Sequence, residues 1–213
     1  MAITGGEGPG LVYVANSQSN NVSGYSVDGN TGALKPLAGS PYPAGEGPAS
    51  IVIAPAPGPN LAGARLVLVA NKLSNNVSVF SVAGDGSLSP VPGSPFAVGG
   101  SPSSVGIQTN AMPLAFAYVT IPALNQIAGF SIDAATGTLT PLAGSPFPGG
   151  LGPSSAAMSF QGKFPYLLVA NNRSNDLSVY TIDPTTGALT PVSGSPFPVG
   201  KSPTAVLYIE VPQ

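Results

Sequence analysis

Apolar runs of about six residues alternate with short polar clusters along this chain, in the same order four times. One set of runs reads LVYVAN (11–16), LVLVAN (66–71), FAYVTI (116–121) and YLLVAN (166–171). Each leads into an Asn/Ser turn (SQSNN, KLSNN, PALNQ, NRSND) and then a second run: VSGYSV (22–27), VSVFSV (77–82), IAGFSI (127–132), LSVYTI (177–182). A tight Asp/Gly turn follows, then a proline-broken stretch of the type ALKPLAGSPYP, then a Gly-rich connector (AGEGP, GGSP, GGLGP, GKSP). A last apolar run closes each unit: ASIVIA (49–54), SSVGIQ (103–108), SSAAMS (154–159), TAVLYI (204–209). Such runs, rich in Val, Ile, Tyr and Phe and bounded by Gly, Pro, Asn and Asp, predict strands. No segment carries the longer 3.6-residue period of a helix.

The units are copies. Residues 16–48 and 171–203 align without gaps and share 17 of 33 residues, and the GSP phrase recurs at Gly39, Gly93, Gly144 and Gly194. A period near 50 residues with four strands per unit predicts an all-β chain, a β-propeller of four-stranded antiparallel blades. The repeat units, about 11–54, 66–108, 116–159 and 166–209, form one expected domain over 1–213. The inner runs lack clean polar alternation, so both faces of each sheet should be covered. The GSP phrase falls on the outermost strand, where proline removes the N–H that a foreign strand would use.

Composition narrows the chemistry. Charged residues are 7% of the chain, and the six cations (Lys35, Arg65, Lys72, Lys163, Arg173, Lys201) are scattered, which excludes a phosphate-binding groove and with it nucleic acid. No run has 18 consecutive apolar residues, so no membrane-inserting helix is expected. There is no His and no Cys, hence neither thiolate chemistry nor the usual ligands of a transition metal, and no cofactor is expected. Low charge and abundant Ser, Thr and Asn suit an exported protein; no signal peptide is visible in the sequence.

The pattern YVAN…SNNVSVFSV…TGALTP…GSPFP resembles the YVTN-type repeats of the lactonase-like, phosphogluconolactonase-like β-propeller family, with YVAN (13–16), YVTI (118–121) and LVAN (168–171) as matching cores. The resemblance implies a seven-bladed ring with lactonase activity in some members. Four units depart from seven. The first apolar run takes the place of a second blade strand and the last that of a first strand, so the terminal strands are expected to share one blade. Closing four blades in one ring asks for about 90° per blade, against about 45° for eight. The small residues of the core strands favour a homodimer forming an eight-bladed ring, with a lone four-bladed ring as the alternative.

Candidate ligand-binding residues are Asn16, Asn71 and Asn171 in the repeated turns, and Lys72, Arg173, Glu46 and Lys201, which break the repeat. A rim of amides with a few charges suits a small molecule, a glycan or a protein partner. Asn in such turns also bonds its own backbone. Asp28, Asp133 and Asp183 open the tight turns, where one carboxylate per turn fits an Asx turn better than a calcium loop. Sequons at Asn21, Asn76 and Asn172 arise from the same repeat. Lactone hydrolysis needs a base. Glu7, Glu46 and Asp176 are the carboxylates on the Asn-rich face, but they form no pair at a defined spacing, so no catalytic residue is assigned. The favoured reading is a non-catalytic binding propeller, with a structural surface domain and a lactonase-type hydrolase as alternatives.

Overall fold

The computed structural model describes residues 2–4, 10–55, 65–111, 114–159 and 165–209. Every element among them is a strand, and the strands form four antiparallel sheets. Blade 1 holds β1 (Ala2–Thr4), β2 (Gly10–Asn16), β3 (Asn21–Val27), β4 (Leu34–Pro36) and β5 (Tyr42–Pro43). Blade 2 holds β6 (Pro48–Pro55), β7 (Arg65–Asn71), β8 (Asn76–Val82), β9 (Leu88–Pro90) and β10 (Phe96–Ala97). Blade 3 holds β11 (Ser104–Ala111), β12 (Leu114–Ile121), β13 (Gln126–Ile132), β14 (Leu139–Pro141) and β15 (Phe147–Pro148). Blade 4 holds β16 (Pro153–Ser159), β17 (Tyr166–Asn171), β18 (Asp176–Ile182), β19 (Leu189–Pro191) and β20 (Phe197–Pro198).

The central hairpin of each blade closes in the same register: Asn16 faces Asn21, Asn71 faces Asn76, Ile121 faces Gln126 and Asn171 faces Asp176. The chain reverses there through Asn20, Asn75, Asn125 and Asn175, all left-handed with φ between 55° and 61°. Asn tolerates that region better than other side-chain-bearing residues. This is why each turn carries it.

The GSP phrase splits the outermost strand into two short pieces, both paired with the third strand. Its serine hydroxyl takes over as acceptor where the ladder is interrupted. Gly24, Val79, Gly129 and Val179 donate their amides to the Oγ of Ser40, Ser94, Ser145 and Ser195, each at 2.9 Å. A buried amide without such a partner would cost about 1–3 kcal/mol.

Side chains alternate between the two faces of each sheet and fill three seams. Tyr13, Val22 and Tyr42 of blade 1 pack with Val67, Val69 and Phe80 of blade 2. Leu66, Leu68 and Val79 of blade 2 pack with Ala117, Val119 and Phe130 of blade 3. Phe116, Tyr118 and Phe147 of blade 3 pack with Leu167, Val169 and Tyr180 of blade 4. Tyr13 donates to the carbonyl of Gly86 at 2.5 Å and Tyr118 to that of Gly187 at 2.7 Å, so a polar bond crosses two of the seams.

One expectation is corrected. Within this chain the terminal strands do not share a blade: 203–209 joins no sheet, and the inner edge of β2 is taken by β1, with Ala2, Ile3 and Thr4 opposite Tyr13, Val12 and Leu11. The reason is the sequential stacking. Each blade packs on the next through a core cluster, and no such cluster among the described residues joins blade 4 back to blade 1.

Candidate functional site

The Asn turns and the Gly-rich connectors meet on one face, as their hydrogen bonds show. In the first seam, Lys72 and Leu73 donate their amides to the carbonyls of Gly47 and Glu46 at 2.9 and 3.0 Å. In the third, Asn172 and Arg173 do the same to Gly152 and Leu151 at 2.9 and 3.1 Å. In three of the four turns the left-handed Asn also reaches its own connector: Asn20, Asn125 and Asn175 accept from the amides of Gly47, Gly152 and Ser202.

The predicted site residues fall in different places. Asn71 and Asn171 are fully buried. Their amides donate to Asn76 and Ser78 and to Asp176 and Ser178, bracing the hairpin; this corrects their placement on an exposed rim. Asn16 makes the matching bonds to Asn21 and Ser23, both at 2.8 Å, and is partly buried. Glu46 and Lys72 are exposed at the first seam, Arg173 at the third, and Lys201 on the connector beyond blade 4. They do not converge. Glu7 lies outside the described residues.

Arg173 does gather a site. It stands where the sister turns carry Gln18, Leu73 and Ala123, against Gly152, a glycine at φ +67°. Leu73 packs against Gly47, φ +65°, in the same way. In blade 4 the guanidinium crosses the seam, and its Nη2 donates to the carbonyl of Pro122 and, at 3.0 Å, to Oδ1 of Asn125. Beside it opens a pocket of about 350 Å³ lined by Pro122, Ala123, Gly152, Ser154, Asn172 and Arg173. The Ser154 hydroxyl bonds the carbonyls of Ala170 and Pro203 at 3.1 and 2.9 Å, and the Asn172 amide reaches Pro203 at 3.4 Å. The pocket thus offers one cation, a hydroxyl, an amide and a small apolar wall. Sequence reasoning named Arg173 as a repeat-breaker but missed Pro122, Ala123 and Ser154, which only the seam brings to it.

The tight-turn carboxylates are local. Asp133 accepts from the amides of Ala135 and Thr136 and from the Thr136 hydroxyl at 2.8–3.0 Å, and Asp28 and Asp183 accept from the amides two and three residues on. Those donors hold the carboxyls below their ordinary range. No group of three His, Cys, Asp or Glu able to hold a metal occurs among the described residues. Burial, reinforced by Tyr42, pushes the Tyr13 hydroxyl up to about 12, and burial drives Tyr118 higher still.

Four-stranded sheets stacked face to face through such seams define a β-propeller architecture. The sequence pattern of the family described as Lactonase, 7-bladed beta-propeller matches residues 102–208, half of the chain, and the chain belongs to that family. A 6-phosphogluconolactonase-like protein of Bacteroides uniformis is similar in structure at 18% identity, TM-score 0.76, over 95% of this chain and 55% of its own. A periplasmic gluconolactonase of Pseudomonas aeruginosa is similar at 23% identity, TM-score 0.70, over 95% and 54%. The chain therefore spans about half the length of these structures. No protein of curated function matches it.

Proposed function

We propose that the chain is a lactonase-type propeller that takes a lactone, or the hydroxy acid formed when the ring opens, in the pocket between blades 3 and 4. Arg173 carries this reading. A guanidinium pairs well with a carboxylate and stabilises negative charge growing on a carbonyl oxygen. Its Nη2 is held by Pro122 and Asn125, which aims the side chain along the seam. With the Ser154 proton already given to the Ala170 and Pro203 carbonyls, Ser154 Oγ and Asn172 Oδ1 can accept from ring hydroxyls. Pro122 and Ala123 suit the apolar face of a small ring. Support comes from the family match, which spans the residues that build this pocket, and from the relatives named as gluconolactonases.

Hydrolysis also asks for a base to activate water, and none of the six lining residues is a carboxylate. Recognition is thus the function the pocket supports directly, and turnover is the part to measure. Calorimetric titration with glucono-1,5-lactone and with gluconate should give saturable binding that Arg173→Leu, the residue of the sister turn, weakens about tenfold or more. Equal binding by the variant, or none by the wild type, overturns the site. Lactone loss above the spontaneous rate, abolished in Arg173→Leu, marks a hydrolase. Binding without acceleration marks a sensor or carrier.

A further inference from the structure

The two outer flanks of the stack carry halves of a seam. On blade 4, Phe197 is 41% and Val199 43% exposed, whereas the equivalent Tyr42 and Phe147 are buried in seams. On blade 1, Leu34 is 54% exposed, whereas its equivalents Leu88 and Leu139 are buried. Leu88 shares its cluster with Tyr42 of the preceding blade, so the partner that Leu34 lacks is of the kind Phe197 presents.

The glycines repeat the message. In the tight turns, a Cβ on Gly86, Gly137 or Gly187 would press into the side chains of the preceding blade, but on Gly32 it would meet nothing within 4 Å. In the connectors, a Cβ on Gly45 would stand 2.6 Å from Asn71 Nδ2 and one on Gly150 would strike Asn171, while Gly200 faces open space. The second connector makes its close approach one residue later, Gly100 against Ile121. Gly32 and Gly200 are the two faces of one unmade contact.

The segment 203–209 already occupies the place of the next inner strand. Val206 donates its amide to Ser155 Oγ at 3.2 Å, as Val105 does to Ser50 and Ala156 to Ser104 on the inner strands. The carbonyl of Pro203 accepts from Ser154 as that of Pro153 does from Ser103. Leu207 and Ile209 stay 84% and 70% exposed. By the register of β6 on β7, where Ile51 faces Val69, this run would lay Val206 opposite Val14 and Leu207 opposite Tyr13.

From these three observations we propose that the open flank of blade 4 receives blade 1 of a second copy, with 203–209 of one chain completing the first blade of the other. Two such contacts, related by a twofold axis along the ring, close eight blades at about 45° each. Phe197 then packs on the partner's Leu34, and Gly200 on the partner's Asn16. β1 lies where Leu207, Tyr208 and Ile209 of the partner would pair, so Ala2–Thr4 guards the edge of β2 and is displaced on assembly.

Sedimentation equilibrium tests this directly. A particle of about 42 kDa, twice the 20.9 kDa of one chain, is expected; a particle of 20.9 kDa at all concentrations overturns the proposal. Gly200→Val has room in the isolated chain, so it should melt as the wild type does at dissociating dilution yet lose dimerisation at least tenfold; undiminished dimerisation overturns it. Deleting residues 2–4 should tighten the dimer, and weakening it would contradict the guarding role. The chain has no cysteine, so a Val14→Cys, Val206→Cys variant can be joined by a short bismaleimide. A covalent dimer on a denaturing gel is expected. A link within one chain, as a closed four-bladed ring would give, or no link at all, overturns it.

Discussion

Blades 2 and 3 differ from blades 1 and 4 in one respect: they are covered on both faces. Equivalent residues carry the contrast. Leu68 of blade 2 is fully buried, as is Tyr118 of blade 3, while Leu168 at the same position of blade 4 is partly exposed. Val67 and Val69 are fully buried, while Val14 of blade 1 is not. The repeat writes nearly the same side chain at each site, and burial is decided by whether a neighbouring sheet exists. A blade is thus half of two interfaces, and its stability belongs to the seams more than to its own hydrogen bonds.

The largest test of that contrast is a pair of truncations. Leu68→Ala should cost about 2–5 kcal/mol because the cavity lies between two packed sheets. Leu168→Ala should cost less than half as much in urea denaturation at concentrations where the chain is monomeric. Equal losses would mean that blade 4 is covered in solution.

Next come the bonds across the seams. Tyr118→Phe leaves the Gly187 carbonyl without its donor and should cost about 1–3 kcal/mol by the same measurement. Tyr180→Phe, whose bond to Pro148 is longer at 3.1 Å and less buried, should cost less. The tyrosines also set an alkaline limit. A hydroxyl whose folded pKa lies above its unfolded value near 10 contributes stability that is whole below about pH 10. That contribution is lost as pH rises towards about 12 for Tyr13. A Tyr13→Phe, Tyr118→Phe chain should therefore lose less stability than the wild type between pH 9 and 11.

The repeated serine gives a smaller effect. Ser94→Ala in blade 2 and Ser195→Ala in blade 4 each remove a 2.9 Å bond to a third-strand amide. About 1 kcal/mol is expected at Ser94, and less at Ser195, where water can reach the freed amide more easily. Thermal melts of the two variants would rank them; a larger loss at Ser195 would contradict the ordering.

The smallest effect lies in the aspartates of the tight turns, which are exposed in every blade and should not feel the contrast. Their carboxyls are held low by the turn amides, so the stability they add is present above about pH 4 and fades as pH falls through the lowered folded values. Asp133→Ala and Asp183→Ala should each lower Tm slightly at pH 7, and the gap to wild type should narrow at pH 2–3. A gap that stays constant with pH would sink this account.

What could be read from the residues alone was whatever one unit contains. Strand runs, the Asn-rich turns, the Asp that binds its own turn and the proline on the outermost strand are local devices, repeated often enough to be recognised without coordinates. The role of the GSP serine escaped notice because its acceptor bond reaches a strand 15–16 residues away. The burial of Asn71 and Asn171, and the pocket beside Arg173, depend on glycines of a connector that packs over them from the blade before. A residue cannot reveal from its own neighbours in sequence which sheet will lie across it. The alternation of apolar residues therefore determined the blades, and the stacking of one blade on the next decided which copies are covered, which arginine gains a cavity and which flanks stay open.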